Sequence, residues 1–175
     1  TERAYADARQ ADNATAAVER IPGPTEARHL IIAGRFALFD CIAAVLALGA
    51  PATIAEVYIA TLGFSKRNVV QLAAMLDAGT VGAVTLLCSH YFAGTSKPIW
   101  EVADRELGAR GQRFLSLRTH AKILAMKLTD GRTVTIESSA NLRSCKNIEQ
   151  LTLYGSPALF DFHSTWIKGL APNGT

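Results

Sequence analysis

HAKILAMKLTDGRTVTIESSAN, residues 120–141, decides how this chain folds. Residues 120–128 and 133–139 are two runs rich in residues that favour strands, and Asp130-Gly131 between them is the dipeptide preferred in two-residue hairpin turns. The spacing predicts an antiparallel pair. With Asp130 and Gly131 as the two turn residues, Thr129 faces Arg132 and opposed residue numbers add up to about 261. Lys122 then opposes Ser139, and His120 opposes Asn141. Opposed side chains share a face with Cβ atoms about 5 Å apart, so this register gathers His120, Lys122, Ser139 and Asn141 into one polar cluster. A surface hairpin with scattered polar residues, His120 serving structure alone, is the alternative these residues leave open.

Working outward, Asn147-Ile148-Glu149 adds a carboxylate a few residues downstream. The whole set resembles the phospholipase D superfamily, whose hallmark reads H-x-K-x4-D-x6-G-S-x-N followed by N-x-E. The matching positions are His120, Lys122, Ser139, Asn141, Asn147 and Glu149, and ESSANLRSCKNIEQ is the most specific stretch. Lys127 stands where the family has aspartate, and Ser138 where it has the glycine before the motif serine. Strand alternation turns Lys127 to the face opposite His120 and Lys122, away from the chemistry. The interval from His to Asn is four residues longer than the family's. Four is even, so each strand lengthens by two with its pairing intact and the hairpin tip extends.

The resemblance implies a phosphodiesterase that forms a covalent phosphohistidine on His120, splitting one displacement into two. Glu149 would hold the imidazole through its other nitrogen. Lys122 and Asn141 would bind the non-bridging oxygens, with Ser139 supporting them. Neither metal nor cofactor is needed. The proton for the leaving oxygen comes, in this superfamily, from a second motif histidine. His29, His90 and His163 have no lysine two residues on, so the expectation is an obligate homodimer in which His120 of each chain faces the other across a two-fold axis.

A chain of 175 residues that is 49% hydrophobic and 19% charged suits one compact globular domain rather than a disordered one. Cys41, Cys88 and Cys145 contain no C-x-x-C pair and are odd in number, which predicts reduced thiols in the cytoplasm rather than a disulfide or zinc framework. Cys145, beside the motif, is expected to be an ordinary small core or loop residue. The apolar stretch FALFDCIAAVLALGA, residues 36–50, carries Asp40 and falls short of the roughly twenty residues a membrane span requires. It predicts a buried helix, and no stable membrane association is expected. The N-terminus has no signal-peptide succession, and a start at Thr1 suggests that the chain begins inside a longer one.

Residues 1–28, broken by Pro22-Gly23-Pro24, predict an appended helix or arm. The resemblance implies that residues 29–175 form the phospholipase D-like domain. Here strands at HLIIA, 56–61, 83–89 and 113–117 alternate with helices over 37–48, 66–77 and 98–109. The hairpin, a strand near 150–154 and a helix over 156–168 follow. That rhythm predicts an α/β fold: a mixed, largely parallel sheet with helices on both faces. Parallel strands collect ligand sites at their carboxyl ends, which nominates Lys66, Phe64 and His90 as substrate-binding residues.

The net charge is only +3, yet residues 105–146 carry nine Lys or Arg against three Asp or Glu. Basicity concentrated around the motif favours a polyanion, and Arg143 is the candidate for a neighbouring phosphate contact. The expected function is a metal-independent nuclease acting on DNA. The alternatives are a nucleic-acid-binding protein on the same fold with little turnover, and a phospholipid hydrolase or transferase, which should show an apolar rim around its cleft.

Overall fold

A computed structural model describes residues 2–143 and 146–171, the side chains of residues 2–5 excepted; Cys145 lies outside the described residues. The elements follow the order α1 (Glu2–Val18), β1 (Ala27–Ala33), α2 (Asp40–Gly49), β2 (Ile54–Thr61), α3 (Lys66–Asp77), β3 (Val81–Ser89), α4 (His90–Thr95), α5 (Lys97–Gly108), β4 (Arg113–Leu117), β5 (Ile123–Leu128), β6 (Thr133–Ser138), β7 (Ile148–Tyr154) and α6 (Pro157–Gly169). Every strand and helix expected after residue 28 is present. The short α4, started by the Ser89 hydroxyl accepting from Tyr91 N, is an addition.

The seven strands form one sheet in the order β1-β7-β6-β5-β2-β3-β4. Only β2–β3 and β3–β4 are parallel, while β1–β7, β7–β6, β6–β5 and β5–β2 are antiparallel. The sheet is therefore mostly antiparallel, against the expectation of a largely parallel one. The alternating helices impose crossovers only as far as β4; the chain then passes the ends of β3 and β2 to begin β5 beside β2, and antiparallel returns add β6 and β7.

Helices cover both faces. Even-numbered residues of β5 (Leu124, Met126, Leu128) join Val57, Ile59, Leu86 and Leu151 in a large core that also takes residues of α1, α2, α3 and α5. On the other face Ala125, Tyr58, Leu87 and Leu115 pack against Phe160 and Ile167 of α6. A sheet buried on both faces explains why β2 and β3 read as nearly continuous apolar runs rather than alternating ones. The thiols of Cys41 and Cys88 are free and buried, and burial pushes Cys88 up to about 11.

Helix α1 is part of this core. Ala14 and Val18, one turn apart, are fully buried. Arg67 at the start of α3 forms ion pairs with Asp7 of α1 at 2.8 Å and with buried Asp40 of α2 at 3.3 Å, fastening three helices together. No helix among the described residues is long and apolar enough to cross a membrane.

The hairpin departs from the expected register. Its partners are Ile123 with Glu137, Ala125 with Thr135 and Lys127 with Thr133, one residue off the predicted pairing. Leu128 N donates to Arg132 O at 2.8 Å and Gly131 N to Leu128 O at 3.0 Å, so the loop has three residues. Gly131 closes it with φ +90, a left-handed conformation that glycine adopts without penalty. Lys122 consequently meets Ser138, whose N donates to Lys122 O at 3.1 Å, and cross-strand pairing does not place Ser139 or Asn141 opposite Lys122 and His120.

Candidate active site

All seven strands bring one set of ends to a common edge: the C-terminal ends of β1, β2, β3, β4 and β6 and the N-terminal ends of β5 and β7. Convergence at that edge, not the hairpin ladder, assembles the motif. His120 and Lys122 precede β5, shaped by Ala121 N donating to the Thr119 hydroxyl at 3.2 Å. After β6 the chain crosses the end of β5 to reach β2. There Leu142 N donates to Thr61 Oγ1 at 3.3 Å, and Leu62 N donates to Asn141 Oδ1 at 3.2 Å. This clamp holds Asn141, half-buried, with its amide nitrogen unoccupied by the Leu62 contact.

Ser138 has a structural task. Its hydroxyl donates to Gln150 O at 2.8 Å and accepts from Ala140 N at 2.9 Å, fixing the turn that leads to Asn141. Ser139 N donates to Gln150 O, and its hydroxyl accepts from Gln150 N at 3.1 Å while donating to the Glu149 carboxylate. Glu149 thus engages Ser139 rather than the His120 ring.

The imidazole's neighbour is Lys122. Its Nζ lies 2.7 Å from Nδ1 and 3.4 Å from Nε2 of His120, and donates to His120 O at 2.8 Å. Burial lowers the Lys122 pKa from its ordinary value, and the nearby charge of Glu149 opposes that shift. An ammonium facing a neutral ring nitrogen can only donate, so in this arrangement Nδ1 is the acceptor and the ring proton resides on Nε2.

The remaining candidates separate. His90, exposed at the start of α4, lines a shallow depression of about 650 Å³ together with Leu62, Tyr91, Arg118, Thr119 and His120. Lys66 is exposed at the same sheet edge. Arg143 is exposed just past Asn141, with no carboxylate partner among the described residues. Phe64 is not a cleft residue: it is 1% exposed, with ring centroids 4.7 Å from Phe92 and 6.0 Å from Phe114. Its place just beyond a strand end nominated it, but the chain turns inward there. Lys127 is exposed at the far, hairpin-tip end of β5, on the α6 side of the sheet. Among the described residues, no group of three or more His, Cys, Asp or Glu side chains is placed to hold a metal ion.

Arg118 and Tyr91 belong to this edge although the motif does not point to them. Tyr91 is 71% exposed. Their signal in the sequence is only that each follows a strand end, which many residues do.

Fold and site together define an α/β protein whose mixed sheet presents a histidine–lysine pair with an asparagine, a serine and a glutamate at one edge. No family model and no curated protein matches the chain. Among solved structures it is similar to polyphosphate kinase from Porphyromonas gingivalis, with a TM-score of 0.63 and 10% sequence identity over 92% of this chain. The chain spans 30% of the length of that kinase. The likeness is one of fold alone.

Proposed function

We propose that this protein is a phosphodiesterase of the phospholipase D type, a nuclease whose preferred substrate is DNA, acting through a phosphohistidine on His120. The observation that carries the reading is the meeting of His120, Lys122, Asn141, Ser139 and Glu149 at one open sheet edge. Lys122 lies against the ring nitrogen Nδ1. A phosphate oxygen is the stronger acceptor for an ammonium, so the arriving substrate draws Lys122 off the imidazole. Proton exchange with water leaves Nδ1 protonated and Nε2 bare, the Nε2 lone pair attacks phosphorus, and the bond from phosphorus to the leaving oxygen breaks. Lys122 and the free amide of Asn141 stabilise the charge that develops on the non-bridging oxygens. Water subsequently attacks the phosphohistidine and restores the ring.

The leaving oxygen needs a proton, and two sources are compatible with the edge. One is His120 of a second copy, in the homodimer that the single motif implies. Ile31 and Ile148, 72% and 76% exposed, offer an apolar surface for association on the outer β1–β7 pair, on the face opposite the Ile32 and Glu149 side chains. The other source is His90 of the same chain, which borders the depression that contains His120.

The test is incubation with single- and double-stranded DNA, RNA, inorganic polyphosphate and phospholipid vesicles in excess chelator, beside His120→Ala. Chelator-resistant cleavage of DNA, lost in the variant, is the expected result; cleavage that requires a divalent ion, or that survives the substitution, sinks the mechanism. Tight DNA binding without cleavage leaves a binding protein on the same fold. Mixing wild-type and His120→Ala chains separates the proton sources. If only pairs of intact chains act, activity falls as the square of the wild-type fraction, and a linear fall assigns the proton to His90.

A further inference from the structure

Charged side chains on this surface divide into paired and unpaired sets. Most Lys and Arg side chains away from the motif are neutralised: Arg20 by Glu26, Arg28 by Glu19, Arg105 by Glu106, Arg110 by Asp77 and Glu106, and Arg132 by Asp130. Arg113 is occupied by the carbonyls that end α6. Among the described residues, the cations with neither a carboxylate partner nor, like Arg113, a set of carbonyls are Arg9, Arg35, Lys66, Arg118, Lys122, Arg143 and Lys146 at or near the motif edge, and Lys127 at the opposite one. Scattered surface charge would not sort in this way.

Arg9 and Arg35 do more than add to the total. They border a recess of about 570 Å³ between α1 and the turn that follows β1, with Gln10, Asn13 and Gly34 as further walls. The recess is held open from both sides. Asn13 Nδ2 donates to Arg35 O at 3.2 Å, and Gly34 turns the chain with φ +76. On the other side Arg67 fixes α1 through Gln10 at 2.5 Å and through Asp7. Two exposed guanidiniums, neither with a carboxylate within ion-pair distance, thus face a preformed polar hollow. Guanidinium forks fit phosphate oxygens by paired donation.

The sheet fixes the separation from His120. Ala33, at the end of β1, pairs with Ile148 of β7, and β6 lies between β7 and β5. Three strand spacings amount to roughly 14 Å, which is about four nucleotides at the stacked rise of roughly 3.4 Å per phosphate along one strand. On the other flank of His120, the exposed ring of Tyr91 offers a stacking surface, a feature a nucleic-acid strand uses and an inorganic polyanion does not.

We propose that the Arg9–Arg35 recess is a phosphate-binding subsite for a DNA strand that crosses the motif edge, holding it several nucleotides from the phosphate at His120. The inference rests on the nuclease reading for the identity of the strand. It is tested by binding alone, so a failure of cleavage leaves it standing. In a His120→Ala background, fluorescence anisotropy of a labelled single strand of about twelve nucleotides is followed across salt concentrations. Replacing both arginines by alanine should flatten the dependence of log affinity on log salt by about 1.4, two contacts at about 0.7 each. At moderate salt the affinity should fall about tenfold. The paired Arg9→Lys/Arg35→Lys change should retain most of the slope, which distinguishes lost charge from lost structure. Lys127→Ala, at the other edge, should leave slope and affinity unchanged, and a trinucleotide should not register the double alanine change. An unaltered slope in the double alanine variant, or an equal drop in Lys127→Ala, overturns the proposal. So does a slope dependent on Arg9 and Arg35 for inorganic polyphosphate but not for DNA.

Discussion

Lys122 shows how much one side chain can do at this edge. Its ammonium is partly desolvated, which disfavours the charged form and places its titration below that of an ordinary lysine, against the opposing pull of Glu149. If Lys122 must be protonated to bind phosphate, activity declines on the alkaline side as the pH rises through this lowered value. In Lys122→Arg the guanidinium stays charged. The alkaline limb should therefore move upward while turnover drops, because the fork cannot reproduce the contact to the His120 carbonyl. A pH profile of kcat/KM checks it, and an alkaline limb at the same pH in both proteins removes Lys122 from the chemistry. The residue types of the site were legible in the sequence because the chemistry demands them. Their partners were not: Ser138 fixing a turn, Glu149 engaging Ser139 and Lys122 covering the ring are all decided by local geometry that spacing leaves open.

At the scale of elements the hairpin is the instructive case. Asp130-Gly131 was legible as a turn, but a two-residue and a three-residue loop share that dipeptide and differ by one in register. The Asp130 carboxylate accepts from Arg132 N at 3.1 Å and pairs with the Arg132 guanidinium, and Gly131 takes the left-handed position. Gly131→Ala should lower stability by about 1–2 kcal/mol, since the site for a Cβ is open and only the backbone conformation resists. Gly131→Asn should cost less, because asparagine tolerates that region better. Chemical denaturation compares the two; equal losses would mean that crowding rather than φ controls the turn. The strand and helix spans themselves were readable because each carries its own signal. The structure adds local stops beyond those readings, the Ser65 cap with its reciprocal Asn68 bond and the Pro157 start of α6 after Ser156.

For the whole molecule, the tie among α1, α2 and α3 is the point where local and global meet. Asp40 is buried, accepts from Ala37 N at 2.7 Å and faces Arg67; burial nonetheless raises its pKa. Arg67→Ala strips the carboxylate of its cation and should destabilise by about 3 kcal/mol near neutral pH. With a folded-state pKa above the unfolded one, Asp40 costs stability while ionised, and that cost is withdrawn as pH falls through the raised value towards 3.8. The deficit of Arg67→Ala relative to wild type should therefore shrink on acidification. Thermal melts across that range check it, and a deficit that is flat or grows towards acid contradicts the account. Because α1 is part of the same core, the loss should appear as one cooperative transition rather than the release of an arm.

Local elements, the residue types of the site and an excess of basic charge near it were already present in the chain's order of residues, since propensity and motif chemistry act over a few neighbouring positions. Only the tertiary structure decided which strands run antiparallel, how the hairpin is registered and that Phe64 is core. It also decided which cations stay unpaired: within 105–146 Arg110 is met by Asp77 from another element, while Arg9, Arg35 and Lys66 reach the edge from outside that stretch. Pairing across a sheet and neutralisation across a surface depend on distances in space between residues far apart in the chain. No window along the sequence contains those distances.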